Sequence, residues 1–155
     1  TVETHITHIE EVMAGEPIAI RNPSATRPWQ HVLEPLSGYL LLASSLYEEP
    51  RRWGGSWNFG PSTREIRTVR DVAEVISYHL GRGHIEIDEL QECFHEAQLL
   101  QLNCEKAQNL LGWSPRWDAD KSLEATALWY KDMIKGDSVQ QITRNQILSF
   151  FPELT

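Results

Sequence analysis

Apolar and polar positions along this chain change period several times, and each change predicts an element. Ile6 to Ala14 reads as a helix end closed by Gly15. Pro17-Ile18-Ala19-Ile20 follows a Gly-Glu-Pro break and is rich in β-branched residues, which predicts a short strand. Asn22-Pro23-Ser24 marks a turn. Pro28 discourages helix at this point, so Trp29 to Val32 reads as extended. Leu33 to Tyr47 is apolar on most faces, interrupted by Glu34, Ser37, Ser44 and Ser45. Such a helix is expected to be buried on more than one side. Glu48 to Gly55 reads as a polar loop, and Ser56-Trp57-Asn58-Phe59 as a strand ended by Gly60-Pro61. Thr68 to Leu80 predicts a helix with Thr68 as N-cap and Asp71 as a short capping-box partner. Val69, Val72, Ala73, Val75 and Ile76 form its apolar face, and Gly81 ends it. His84 to Ile87 alternates like a strand, and Gln98 to Leu102 is another candidate. Asn103 caps a short helix, Glu105 to Leu111, closed by Gly112. Asp118 or Asp120 starts a helix that runs through Leu123, Ala127 and Ile134 to Gly136, and Val139 to Phe151 forms the last one. Single strands mixed with single helices define an α/β or α+β class.

The totals narrow the setting. A length of 155 residues supports one domain with a real core, and 41% hydrophobic residues fit a globular protein. The net charge of -8 makes nucleic acid and anionic membrane poor partners, because each phosphate contact needs a cation. A local Arg site for a small phosphorylated ligand remains compatible with it. No apolar run approaches the roughly 18 residues of a membrane span, and THITHIEE lacks the basic-then-apolar order of a signal peptide. The two cysteines, Cys93 and Cys104, are expected as free thiols in a reducing cytoplasm. Six tryptophans read as packing residues, Trp29 excepted.

Several chemistries are missing. Gly54-Gly55 and Gly81-x-Gly83 have the wrong context for a dinucleotide turn, and no Gly-x-Ser-x-Gly elbow exists. His5 and His8 share a helical spacing, but no third ligand lies near, and a polar terminus explains them; no metal site is expected.

What remains is TRPWQHV, Thr26 to Val32. An Arg presents a planar fork that matches phosphate oxygens bidentately. On a strand, Trp29 and His31 would share one face and Gln30 would take the other. Arg27 at a strand mouth before a buried helix is therefore a candidate diphosphate clamp.

Four stretches together, IRNPSATRPWQHVLEPLSGYLLLASSLYE, WNFGP, TVRDVAEVI and NCEKAQNLLGWSP with its following WY helix, resemble one family. They are similar to the C-terminal half of the extended short-chain dehydrogenase/reductases that act on nucleotide sugars. The forms NPxATRPWQHVLEPLxGYL and HEA resemble the CDP-glucose 4,6-dehydratases in particular. Pro28 stands where the family usually has Asp. The resemblance runs from about Gly15 to Phe150.

It implies an α/β fold, the substrate-binding C-terminal portion of a Rossmann-type enzyme over residues 1–155. The cofactor half, with its Gly-rich turn and Tyr-x-x-x-Lys pair, is expected to lie outside this chain; Tyr78, for instance, has Arg82 at the Lys offset. It further implies that the parent enzyme uses NAD to oxidise a nucleotide-linked hexose at C4. Water then leaves across C5 and C6 and the hydride returns at C6, a lyase reaction overall. By the same resemblance Arg27 binds the diphosphate, with Trp29 and His31 beside it. The family's second Arg, of an Arg-x-Gly-Asp pattern, would fall near Cys93 with Glu96 where the Asp would be, and His95-Glu96-Ala97 replaces that pattern, so His95 and Glu96 are the remaining implied substrate residues. Asn58 is implied to be structural. No catalytic or cofactor residue is assigned in this chain, which alone is expected to be inactive and to form a homo-oligomer. The alternatives are an epimerase or other relative, or a noncatalytic module that binds a nucleotide sugar or a partner.

Overall fold

The computed structural model describes residues 12, 14–20, 22–62, 65–87 and 100–154. The expected contributions of His5, His8, Cys93, His95 and Glu96 lie outside the described residues.

Val12 and Ala14 are helical, and Gly15, at φ +79°, ends that turn by donating its N–H to the Val12 carbonyl at 3.2 Å. The chain then enters β1, Ile18–Ile20, and turns at Asn22, whose carbonyl accepts from Ala25 N at 3.2 Å. A two-residue strand follows, β2, Thr26–Arg27. The expected extension from Trp29 to Val32 does not form. Trp29 N turns back to the Arg27 carbonyl at 2.9 Å, and Val32 already has helical dihedrals. Helix α1 spans Leu33–Glu48. A short helix, α2, Pro50–Trp53, interrupts the expected loop, with Pro at its first position, where a missing N–H costs nothing.

Strand β3, Arg67–Thr68, leads directly into α3, Val69–Leu80. The capping box is present in both directions: Asp71 N donates to Thr68 Oγ1 at 3.1 Å and Thr68 N to Asp71 Oδ2 at 2.8 Å. Gly81, at φ +72°, closes the helix. Strand β4 is Ile85–Ile87. Leu100 to Leu102 carries no strand. Asn103 caps as expected, accepting from Glu105 N at 2.9 Å, but the helix widens into a π-helical turn over Ala107–Leu111. Asp118 rather than Asp120 caps α4, Ala119–Lys135; Lys121 N donates to its Oδ1 at 2.7 Å. Helix α5, Val139–Phe150, and a 3-10 turn, Pro152–Leu154, finish the chain.

Among the described residues there are two small sheets. β1 and β4 pair in parallel, Ile18 opposite Ile85, and β2 and β3 pair antiparallel, Arg27 opposite Arg67. The main core lies where β1 meets α3 and α4: Val12, Ile18, Ile20, Ala73, Ile76, Leu80, Leu123 and Ala127. A second cluster joins Phe59, Ala107 and Trp113, with Leu42, Trp57 and Leu111 against it.

Ser56 to Phe59 carries no strand. Its polar groups go to side chains and loops instead of a ladder: Gln30 Nε2 donates to the Phe59 carbonyl at 2.9 Å, and Asn58 Nδ2 to the Asn103 carbonyl at 3.1 Å. The Phe59 ring lies against Gly38 of α1, where any Cβ would overlap it. Glycine in a helix interior costs roughly 1 kcal/mol, so this close approach is what that cost supports.

Helix α1 is not covered on more than one side. Glu34 and Gly38 are buried, whereas Val32, Leu36, Tyr39, Leu40 and Tyr47, which recur at helical offsets of 4, 7, 8 and 15 residues from Val32, are exposed. Leu40 is 68% exposed and Tyr47 is 92% exposed, so the stripe is open to solvent.

Candidate functional site

The motif from Thr26 to Val32 bends through its sheet and does not run along it, and each side chain takes a different partner. Arg27 is half-buried on β2, and its Nη1 donates to the Thr26 carbonyl at 2.8 Å. Trp29 reaches across to β3, donating Nε1 to the Arg67 carbonyl at 3.0 Å. Gln30 holds the Phe59 segment.

His31 is buried. Its Nδ1 accepts from Leu33 N at 3.3 Å, which orders the first turn of α1, and its ring also hydrogen-bonds the Gln146 side chain of α5. The ring stands 5.1 Å from that of Trp117. Burial pushes the imidazole below its ordinary value, with the Gln146 bond pulling the other way. A depressed histidine stabilises the fold fully above its unfolded value of 6.5, and this contribution is lost as pH falls through the folded value. The stability gap between wild type and His31→Gln is therefore expected to shrink as pH is lowered from 7.5 to 5. Denaturant midpoints across that range measure it, and a constant gap would show that His31 does not titrate in this way.

Trp29 and His31 therefore do not share a strand face. His31 and Gln30 line a cleft of about 430 Å³ between the start of α1, α4 and α5, together with Thr126, Trp129, Thr143 and Gln146. Arg27 is not among the residues that line it.

Sequence reasoning missed two residues near the motif. Glu34 reads as a wet position of α1 but is fully buried. Its carboxylate accepts from Arg116 N at 3.0 Å and Trp117 N at 2.8 Å, and burial pushes its carboxyl above the ordinary range despite those bonds. The other is Arg67, directly opposite Arg27. It bridges Asp120 of α4, Nη2 to Oδ1, at 2.9 Å. The only early signal for Arg67 was its place one residue before a clear N-cap.

The described residues do not fit a dinucleotide. β1 runs into Asn22-Pro23-Ser24 without a glycine, and β3 enters α3 through the Thr68 capping box, leaving no Gly-rich strand-to-helix turn to cradle a pyrophosphate. Among the described residues no cluster of three or more His, Cys, Asp or Glu is placed to hold a metal ion. No helix among them is long and apolar enough to cross a membrane.

No protein-family model matches the chain. Solved structures similar to it include UDP-glucuronic acid 4-epimerase of Bacillus cereus, in complex with UDP-glucuronic acid and NAD, with a TM-score of 0.64 and 20% identity over 81% of this chain and 38% of that one. UDP-glucose 4-epimerase of Thermotoga maritima, with UDP-glucose, gives a TM-score of 0.61 at 18% identity, over 83% of this chain and 39% of that one. The Bordetella bronchiseptica enzyme WbmF, in complex with NAD+ and UDP, gives 0.60 at 21% identity over 96% of this chain and 41% of that one. The fold is α/β and similar to part of the fold of these enzymes.

In sequence, the chain resembles CDP-glucose 4,6-dehydratase. It is 36% identical to the Salmonella typhimurium enzyme over 141 residues, which is 91% of this chain and 39% of that enzyme. The chain thus spans about two fifths of the length of the curated relative it matches.

Proposed function

We propose that this chain is the substrate-binding portion of an NAD-dependent nucleotide-sugar 4,6-dehydratase, a lyase, with CDP-glucose as substrate. The cofactor-binding portion would lie in polypeptide outside this sequence. The observation that carries the reading is the 36% identity to CDP-glucose 4,6-dehydratase across 91% of the chain. Arg27 at the end of β2 supports it, since a half-buried guanidinium on a short strand is suited to a phosphate. Trp29 contributes by holding β3 against β2, and His31 by fixing the start of α1. The chain binds and orients the sugar nucleotide, and supplies none of the groups that move protons or hydride.

Titration of CDP-glucose into the protein tests this reading. Arg27→Ala is expected to weaken binding by about 1.5–3 kcal/mol, the range for a hydrogen bond to a charged group. An unchanged dissociation constant would remove Arg27 from the site. The poor fit of the described residues to NAD favours a second reading, a noncatalytic module that binds a nucleotide sugar. Under both readings the chain alone is expected not to convert CDP-glucose to a 4-keto sugar with added NAD, and clear conversion would overturn both.

A further inference from the structure

We propose that Arg67 is the second phosphate-binding residue of this site, facing the diphosphate from the strand opposite Arg27. The inference rests on the reading of Arg27 as a phosphate ligand. β2 and β3 form a two-residue antiparallel ladder that pairs Thr26 with Thr68 and Arg27 with Arg67. Directly opposed residues in such a ladder project from the same face, with Cβ atoms about 4.5–5.5 Å apart. Two like charges placed this way repel each other, and nothing in the backbone requires both positions to be cationic. In a chain of net charge -8 the ladder sets two arginines opposite each other, with Asp120 bridging Arg67 and Asp71 close by it. An anion with two adjacent charged groups relieves that repulsion, and the diphosphate of a sugar nucleotide is such an anion. Each guanidinium fork takes oxygens of one phosphoryl group.

Arg67 is also held where this role needs it. Trp29 Nε1 donates to the Arg67 carbonyl at 3.0 Å, so the motif's own tryptophan positions the second arginine. The next residue, Thr68, is locked by the reciprocal bonds with Asp71. A ligand on backbone fixed from both sides is preorganised. Its present partner, Asp120, has a side chain 69% exposed, and an ion pair that open to water is weak enough to yield the guanidinium to a phosphate.

Calorimetric titrations of CDP and CMP into the wild-type chain and its Arg67→Gln, Asp120→Asn and Arg27→Gln variants test the assignment. Arg67→Gln is expected to raise the dissociation constant for CDP about tenfold or more, and that for CMP much less. Asp120→Asn breaks the same bridge but leaves the guanidinium, so it is expected to tighten CDP binding. If Arg67→Gln and Asp120→Asn weaken CDP equally, Arg67 serves only the bridge and the assignment is overturned. If Arg27→Gln weakens CDP and Arg67→Gln does not, Arg67 is wrong and the Arg27 reading stands. If the wild-type chain binds CDP no better than cytidine, the reading of the site fails and Arg67 fails with it.

Discussion

Glu34→Ala is expected to lower the free energy of unfolding by about 2–6 kcal/mol, from two backbone donors that lose their acceptor at about 1–3 kcal/mol each. The Glu34 carboxylate is fully buried at the first turn of α1 and accepts the N–H groups of Arg116 and Trp117, more than eighty residues away. Alanine leaves both part-buried donors without that acceptor. The same loop carries the Arg116 guanidinium, which reaches Glu153 at 2.7 Å and the Phe150 carbonyl at 3.2 Å. Loss of Glu34 therefore also loosens the C-terminal turn. Glu34→Gln keeps an acceptor oxygen and should cost clearly less. Guanidinium denaturation of the three proteins measures both effects. An alanine variant within 1 kcal/mol of wild type would mean that water satisfies those donors and that the carboxylate is not a tie.

The second large effect concerns the open side of α1. We propose that the chain forms a homo-oligomer in which the stripe of Val32, Leu36, Tyr39, Leu40 and Tyr47 packs against its copy on a second chain. A two-fold arrangement presents the same surface to itself, so one apolar helix face suffices for both partners. Removing a leucine side chain from water is worth about 1.5–3 kcal/mol. Leu40→Glu, at a position 68% exposed in the single chain, should leave the fold intact. It should raise the dissociation constant of the assembly by at least about tenfold, since 1.4 kcal/mol is a factor of ten. Sedimentation of wild type, Leu40→Glu and Leu41→Glu over a range of concentrations tests this. A wild-type chain that stays monomeric at high concentration and binds no apolar dye would refute the proposal.

The elements that were legible in the sequence are those decided by neighbours a few residues away. Thr68 and Asp71 cap each other, Asp118 caps α4, and Gly81, Gly112 and Gly136 end their helices at positive φ. These bonds are local, so residue type and spacing suffice. The failures are non-local. Ser56 to Phe59 has the composition of a strand, but whether it becomes one depends on a partner, and Gln30 and Asn103 take its polar groups instead. Glu34 looks like a solvated position because its donors lie in a loop that only the folded chain brings near. Arg67 could not be singled out, because a two-residue strand gives no periodicity from which a register can be read. Of the expected substrate residues, Arg27, Trp29 and His31 are in the described region, and they diverge: one faces Arg67, one braces its backbone and one is buried under α5.

The contact between Gly38 and Phe59 constrains how this sequence can drift. A Cβ at position 38 and a full phenyl ring at position 59 cannot occupy the same space, so neither site is free to vary alone. Gaining alanine in α1 improves helix propensity only after the ring has shrunk or swung away, and the two substitutions are then strongly non-additive. Among descendants of this chain the pair should behave as a single heritable unit, glycine with phenylalanine or a larger residue with a smaller one. The route between the two states passes through the smaller ring first, since that intermediate leaves a cavity where the other forces an overlap.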